Sequence, residues 1–383
     1  MKVVLKKLLS VFIVIAVFLT SAHVGSMVFM PKDGQQEDNG NIYYITQGFM
    51  GENRNSIDVA LIGNSDIYRG FSPMEFWKSY GVTSYVCGEP NQSVKKAYKR
   101  LRQFKKNQRL KLLVLEVDST FKTENAKVPA PGKKKTFSEK MLRRFKAVQD
   151  TFKDVDGGLT TAIGYYFPIF KYHNRWDELK REDFTQLKKS RYFITKGFLL
   201  NDKIVPYESD TDYMAYSDKF EKMNQENEKY LNKIIQYCNR HDIQLMFLAV
   251  PSSTSWNYEK HNTIQKIADE NNIQFLDLNL HLSEMGFDWK TDSKDAGNHL
   301  NIFGADKVTP YVSKYLISNF TLPDHRQEAA FADWTQDSTL YEQKKEKMFS
   351  ETKKKQEKKK SEKKADQERY TPPAGPSESV ESI

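Results

Sequence analysis

The sequence predicts an α/β chain with a mainly parallel sheet between helical layers, a membrane segment before it and a basic tail after it. Three observations predict this. From Ser56 onward short apolar runs alternate with longer helical stretches, as parallel sheets with crossover helices require. Residues Leu8 to Pro31 carry no acidic or strongly basic side chain. Beyond Leu322 the hydrophobic periodicity stops.

The N-terminal segment comes first. Lys2, Lys6 and Lys7 precede 24 uncharged residues, longer than the roughly 20 that span a bilayer. The most apolar part, Val11 to Leu19, is shorter, and Ser21, Ala22, Gly25 and Ser26 are small enough for signal-peptide cleavage. The return to apolarity at Met27-Val28-Phe29-Met30 favours an uncleaved anchor over residues 1–31. In either case the lysines stay cytoplasmic and the body is exported. Residues 32–55 are polar and read as a stalk.

The domain is expected over 56–322. Its strand candidates are Ile57–Ile62, Thr83–Cys87, Leu110–Val117, Gln244–Val250 and Gln274–Leu278. Its helix candidates are Pro73–Tyr80, Ser93–Lys106, Phe220–His241, Glu259–Asn271 and Ala305–Leu316. Residues 120–217 break the alternation and read as one insertion capping the strand ends. Residues 323–383 read as a tail, largely disordered, with a charged helix within 342–365 as the alternative. A chain ended near Leu340 is therefore expected to keep its stability.

The net charge of +9 misleads as to partners. Residues 344–364 hold eleven Lys against four Glu, so the rest of the chain is close to +2. The basic balance describes the tail, and no nucleic-acid-binding motif stands in the body. The two cysteines, Cys87 and Cys238, have neither Cys-x-x-Cys nor Cys/His zinc spacing, and both are expected to be buried and inert.

The chemistry centres on "LIGNSDIYRGF", residues 61–71. An apolar strand runs into Gly63-Asn64-Ser65-Asp66, and a ligand in such a sheet sits at the strand carboxyl ends. Gly-Asn-Ser-Asp is also ordinary turn chemistry. A nucleophilic Ser65 needs a base, and the base an orienting acid. Of seven histidines, His299 in "KDAGNHLNIFG" stands in a glycine-containing loop just before a helix, with Asp295 four and Asp292 seven residues earlier. Glu116 and Asp118 end a strand, where they suit loop N–H groups or Arg175 better than a metal or a glycosidase's carboxylate pair. The aromatic run Tyr165 to Trp176 is either the core of the insertion or a cleft wall.

"IGNSD" resembles the first block of the SGNH/GDSL hydrolases, and "DAGNHLN" resembles their last block, Asp-x-x-His. The likeness spans about residues 56–318. With the export segment it resembles the membrane-anchored Gram-positive proteins of teichoic-acid D-alanylation and polysaccharide O-acetylation. "YHNRW", Tyr172 to Trp176, also looks like that group. The resemblance implies a three-layer α/β/α domain outside the cytoplasm and an acyl transfer or ester hydrolysis on envelope carbohydrate. It implies Ser65 as nucleophile, His299 as base and Asp295 as orienting acid. It also implies an oxyanion site from the Ser65 and Gly88 N–H groups with Gln92 or Asn91. His173, Arg175 and Trp176 would bind substrate, either an envelope polysaccharide or teichoic acid. No metal or organic cofactor is implied, and a membrane O-acyltransferase is the implied partner. The chain departs from the family at Asn64, in the spacing of Asp295, and in the missing third-block Gly-x-Asn-Asp. The spacing leaves Asp295, Asp292 or no acid as the partner of His299. The missing asparagine supports a non-catalytic glycan-binding or assembly protein as the alternative, and D-alanyl transfer is a third reading.

Overall fold

The computed structural model describes residues 2–30, 48–122, 163–164, 167–179, 181–185 and 193–369. Much of the expected stalk and insertion, and the last 14 residues of the chain, lie outside these.

The apolar start forms helix α1, Lys2–Phe29. Its stretch Leu9–Phe29, 21 residues, is long and apolar enough to cross a membrane. Alternation then builds the domain: β1 Val59–Gly63, α2 Ser65–Gly70, α3 Pro73–Tyr80, β2 Ser84–Gly88, α4 Val94–Phe104 and β3 Leu112–Glu116. Two short helices, α5 Ile169–Tyr172 and α6 Arg181–Thr185, follow in the insertion. The pattern resumes with α7 Gln225–Arg240, β4 Gln244–Ala249, α8 Tyr258–Asn271, β5 Gln274–Asp277 and α9 Ile302–Asn319. It ends in α10, Ala332–Arg369.

Every strand pairing is parallel, in the order β2-β1-β3-β4-β5. The strands alternate between two faces, as period-two side chains must. Ala60, Ile62, Leu113, Leu115, Phe247 and Ala249 join one core with α4, α7 and α8. Val59, Leu61, Leu112, Val114, Met246 and Leu248 join the other with α2, α3 and α9. This is the expected three-layer arrangement. Helices α3, α4, α7, α8 and α9 each begin on a side-chain cap that the sequence displays: Ser72, Ser93, Asn224, Asn257 and Asn301 each accept a backbone N–H of the first turn. Cys87 and Cys238 are both buried, and neither takes part in a disulfide.

After Leu322 the structure holds a helix that includes the charged one weighed for 342–365, and its first half docks on the domain. Helix α10 buries Trp334 and Tyr341, and Tyr341 Oη lies 3.0 Å from Ser72 Oγ, which donates to it. Trp334 packs on Trp77, ring centroids 5.6 Å apart. Asp337 of α10 meets Lys196 at 2.6 Å, and Lys196 also meets Glu52 at 2.9 Å, all three buried. His325 bridges Asp58 and Glu328, each at 2.7 Å. The apolar residues are too sparse there to show as periodicity, yet four or so well-placed side chains dock the segment.

Candidate functional site

The site is built where β1, β2 and β3 end. Gly63 closes β1, and a side chain there would run into Glu116 on β3. Asn64 then turns the chain. Its Oδ1 accepts the Asp66 N–H at 2.8 Å, its Nδ2 donates to Asp118 Oδ2 at 3.1 Å, and its N–H donates to Glu116 Oε2 at 3.1 Å. Asn64 is thus the N-cap of α2 and is fully used in shaping the turn. Ser65 is the first residue of α2 and is half-buried.

His299 comes from the loop before α9. Its Nδ1 lies 2.6 Å from Asp295 Oδ2, and its backbone N–H donates to Asp295 Oδ1 at 2.8 Å. The ring's other nitrogen, Nε2, lies 4.0 Å from Oδ1 of Asp66, the residue after Ser65. So the imidazole faces the first turn of α2. No direct Ser65–His299 hydrogen bond forms among the described residues. Burial alone would raise the Asp295 carboxyl. The hydrogen bonds from His299 and from Lys294, at 2.9 Å, outweigh burial and hold it well below the usual carboxylate range.

The four-residue spacing is absorbed by the backbone. Ala296 and Gly297 both take positive φ, 57° and 90°. These two left-handed residues form the bulge that lets Asp295 reach back to His299. Gly297 is required there, because a side chain would collide with Ser253 and Tyr207. Asp292 is placed otherwise. It is buried, binds Lys307 at 2.7 Å and accepts the Asp288 N–H at 2.7 Å. Of the two acids, Asp295 is the one that touches His299.

Gly88 is pressed against the same turn: a side chain there would stand 2.6 Å from the Asn64 carbonyl oxygen and 2.9 Å from the Tyr68 ring. Gln92 is fully buried, and its amide Nε2 and Oε1 have no hydrogen-bond partner among the described residues. A buried amide without partners is uncommon. Asn91 is exposed and left-handed, φ 49°.

Behind the turn lie Asp66, Glu116 and Asp118, all buried, with ligand atoms within 4.8 Å of one another. Asp118 is ion-paired to Lys122 at 2.8 Å and to Lys260 at 3.1 Å. Burial first, and the neighbouring Asp118 second, push Glu116 up to about 8. Burial, Glu116 and Asp118 push Asp66 well above its usual range. Two ammonium groups, of Lys122 and Lys260, stand against this acidic set. Glu116 bonds the N–H groups of Asn64 and Asp118, the ordinary role the sequence suggested, while Asp118 pairs with lysines and not with Arg175.

The expected substrate residues make contacts within their own segment and with α1. Arg175 is buried, donates to the Phe29 carbonyl at 2.5 Å and pairs with Glu178 at 3.4 Å and Asp183 at 3.6 Å. Its guanidinium is thus engaged inside the chain, by one carbonyl and two carboxylates. His173 Nδ1 lies 3.1 Å from the Phe170 carbonyl. No hydrogen bond or ion pair among the described residues ties His173, Arg175 or Trp176 to Ser65, Asp295 or His299. Another part of the insertion does reach the site: Val205 N–H donates to Ser293 O at 2.9 Å, and Ala296 N–H to Val205 O at 3.2 Å. Sequence reasoning missed Arg69, four residues past Ser65 on the same helix. It is half-buried, donates to the Leu199 carbonyl at 3.2 Å and feels the Asp295 charge. Its i, i+4 spacing from Ser65 was the available signal.

No family model matches the sequence. No curated protein matches it either. Among solved structures the chain is similar to a putative acylhydrolase from Bacteroides fragilis, with a TM-score of 0.34 and 12% identity over 74% of this chain and 99% of that one. It is similar to a GDSL-like lipase from Bacteroides thetaiotaomicron, TM-score 0.34 and 10% identity over 73% of this chain and 99% of the other. A gut microbial diltiazem-metabolizing enzyme aligns at TM-score 0.23 and 14% identity, over 70% of this chain and 47% of its own length.

Proposed function

We propose that this protein transfers or hydrolyses an O-acyl group, acetyl by the resemblance of its motifs, on a cell-envelope carbohydrate. In this reading α1 anchors it in the plasma membrane and the catalytic domain stands outside the cytoplasm. The observation that carries the chemistry is the Asp295–His299 pair, with Nε2 turned toward the α2 turn that bears Ser65. Ser65 Oγ attacks the acyl carbonyl while His299 Nε2 takes its proton. The ester C–O bond then breaks, and the same proton goes to the departing sugar oxygen. Water, or a second sugar hydroxyl, resolves the acyl-serine by the reverse steps. Asp295 keeps Nδ1 protonated and the ring oriented. The N–H groups of Ser65 and Gly88, with the unpartnered Gln92 amide, receive the negative charge on the carbonyl oxygen. A membrane O-acyltransferase that supplies the acyl group is the partner this role calls for.

The test is acetate release from a small activated acetyl ester, which needs little leaving-group assistance. The wild type should turn it over and Ser65→Ala should not. Equal rates in both would leave Ser65 as turn chemistry. One observation favours a second reading, a binding or assembly protein built on the same cleft: the group 4.0 Å from Nε2 is the Asp66 carboxyl, and no Ser65–His299 hydrogen bond is made. That reading requires glycan binding that survives Ser65→Ala.

A further inference from the structure

We infer that residues 167–179 and 181–185 form a platform that lies in the membrane interface beside α1, with Phe170, Trp176 and Phe184 immersed among lipid headgroups. The inference rests on the proposed membrane placement of α1 and goes beyond it.

The contact with α1 is direct. Ala22 and Ser26, four residues apart on one face of α1, are buried, while the apolar side chains from Leu9 to Leu19 stand open. What covers that face is α5 and its neighbours. Ile169 N–H donates to Ser26 Oγ at 3.2 Å, and Gly25 is small enough for the Ile169 side chain to lie against it. Arg175 caps the end of α1 through the Phe29 carbonyl, at 2.5 Å. A helix C-terminus leaves carbonyls without partners, and a cation there also offsets the helix dipole.

Depth follows from length. Leu9–Phe29 has 21 residues, about 31 Å at the helical rise, against a hydrocarbon core of about 30 Å. Phe29 therefore sits at the outer boundary, and the segment bonded to Ser26 and Phe29 sits at that level too. There the chain presents Trp176 at 73% exposure, Phe184 at 56% and Phe170 at 49%. Three large apolar groups this open are costly in water. Tryptophan at the headgroup level is favoured, because an apolar ring and a polar N–H suit that boundary. A sugar-stacking wall would have to face Ser65 and His299, and no bond among the described residues ties the segment to them.

The experiment uses the full chain in vesicles of phosphatidylcholine and phosphatidylglycerol. Single substitutions Trp176→Cys, Phe170→Cys and Phe184→Cys are labelled with an environment-sensitive fluorophore. The two native cysteines are buried and do not compete for it. Ile13→Cys reports on the anchor. The expected result is quenching of the three platform labels by lipids with a shallow nitroxide, and shielding from aqueous iodide several-fold stronger than for a label at exposed Tyr216. A lipid-shielded Ile13 label beside iodide-accessible platform labels overturns the platform and leaves the anchor standing. Platform labels shielded from iodide but untouched by lipid nitroxide overturn it as well, in favour of a protein contact. An aqueous Ile13 label removes the anchor and the platform with it. Three positions guard against one variant that fails to fold.

Discussion

Asp295 holds His299 through both of its oxygens, one on the ring Nδ1 at 2.6 Å and one on the backbone N–H at 2.8 Å. The double grip fixes both the ring's tautomer and the position of its backbone. Asp295→Asn keeps the acceptor for the backbone N–H but turns an N–H₂ toward Nδ1. The imidazole then carries its proton on Nε2, where it cannot accept one from Ser65. The rate on an activated acetyl ester should fall on the order of 10²–10⁴-fold with little loss of stability. Asp292→Asn should do the reverse, leaving the rate and lowering the unfolding midpoint, because it loosens Lys307 and the Asp288 turn. A rate loss confined to Asp292→Asn would move the acid to that residue.

Glu116 makes stability depend on pH in an unusual direction for a carboxylate. Its folded value is about 8 and its ordinary value 4.5. Below 4.5 both folded and unfolded chains hold the proton, and its contribution is complete. Between these values the folded protein keeps a proton that the unfolded chain has released, so stability falls as pH rises to about 8 and levels above it. Asp66, raised by burial, Glu116 and Asp118, slopes the same way. Urea midpoints at pH 5, 6, 7 and 8 should decline less steeply in Glu116→Gln than in the wild type. Parallel slopes would show that Glu116 is ionised in the folded state.

Lys196 joins three distant parts of the chain, through Glu52 at 2.9 Å and Asp337 at 2.6 Å, with its ammonium 4.6 Å from the Trp334 ring centroid. Lys196→Met strands two buried carboxylates and should cost roughly 3–5 kcal/mol. Adding Glu52→Gln and Asp337→Asn should recover part of that loss. Thermal midpoints of the single and triple variants measure it, and no recovery would mean that the lysine acts through packing alone.

Tyr341 is wholly buried, with its hydroxyl on Ser72 at the start of α3. Tyr341→Ala should cost about 3–5 kcal/mol, the range for losing a large core side chain. Ending the chain after Phe331 should cost more, since Trp334 and Asp337 go too. An unchanged midpoint in that shortened chain would restore the sequence reading of a dispensable tail.

The sequence by itself determined the layers. All five strands and all five predicted helices occur near their expected places, because buried parallel strands and amphipathic helices are written in local periodicity and caps. It also pointed to Ser65, Asp295 and His299 through two glycine-containing turns that are visible locally, and folding brings Asp295 onto His299. It did not choose between Asp295 and Asp292. That was decided by two left-handed residues, Ala296 and Gly297, which set how far back a carboxylate can reach. Nor did it give Arg175 its partner. An arginine beside aromatic residues reads alike whether it meets a ligand or a helix end, and only folding brought the Phe29 carbonyl to it. The docking of α10 was hidden for the same reason: Trp334, Asp337 and Tyr341 are too few to make a period. They bind through long-range contacts with Trp77, Lys196 and Ser72, and such contacts exist only once the tertiary structure has closed the distance.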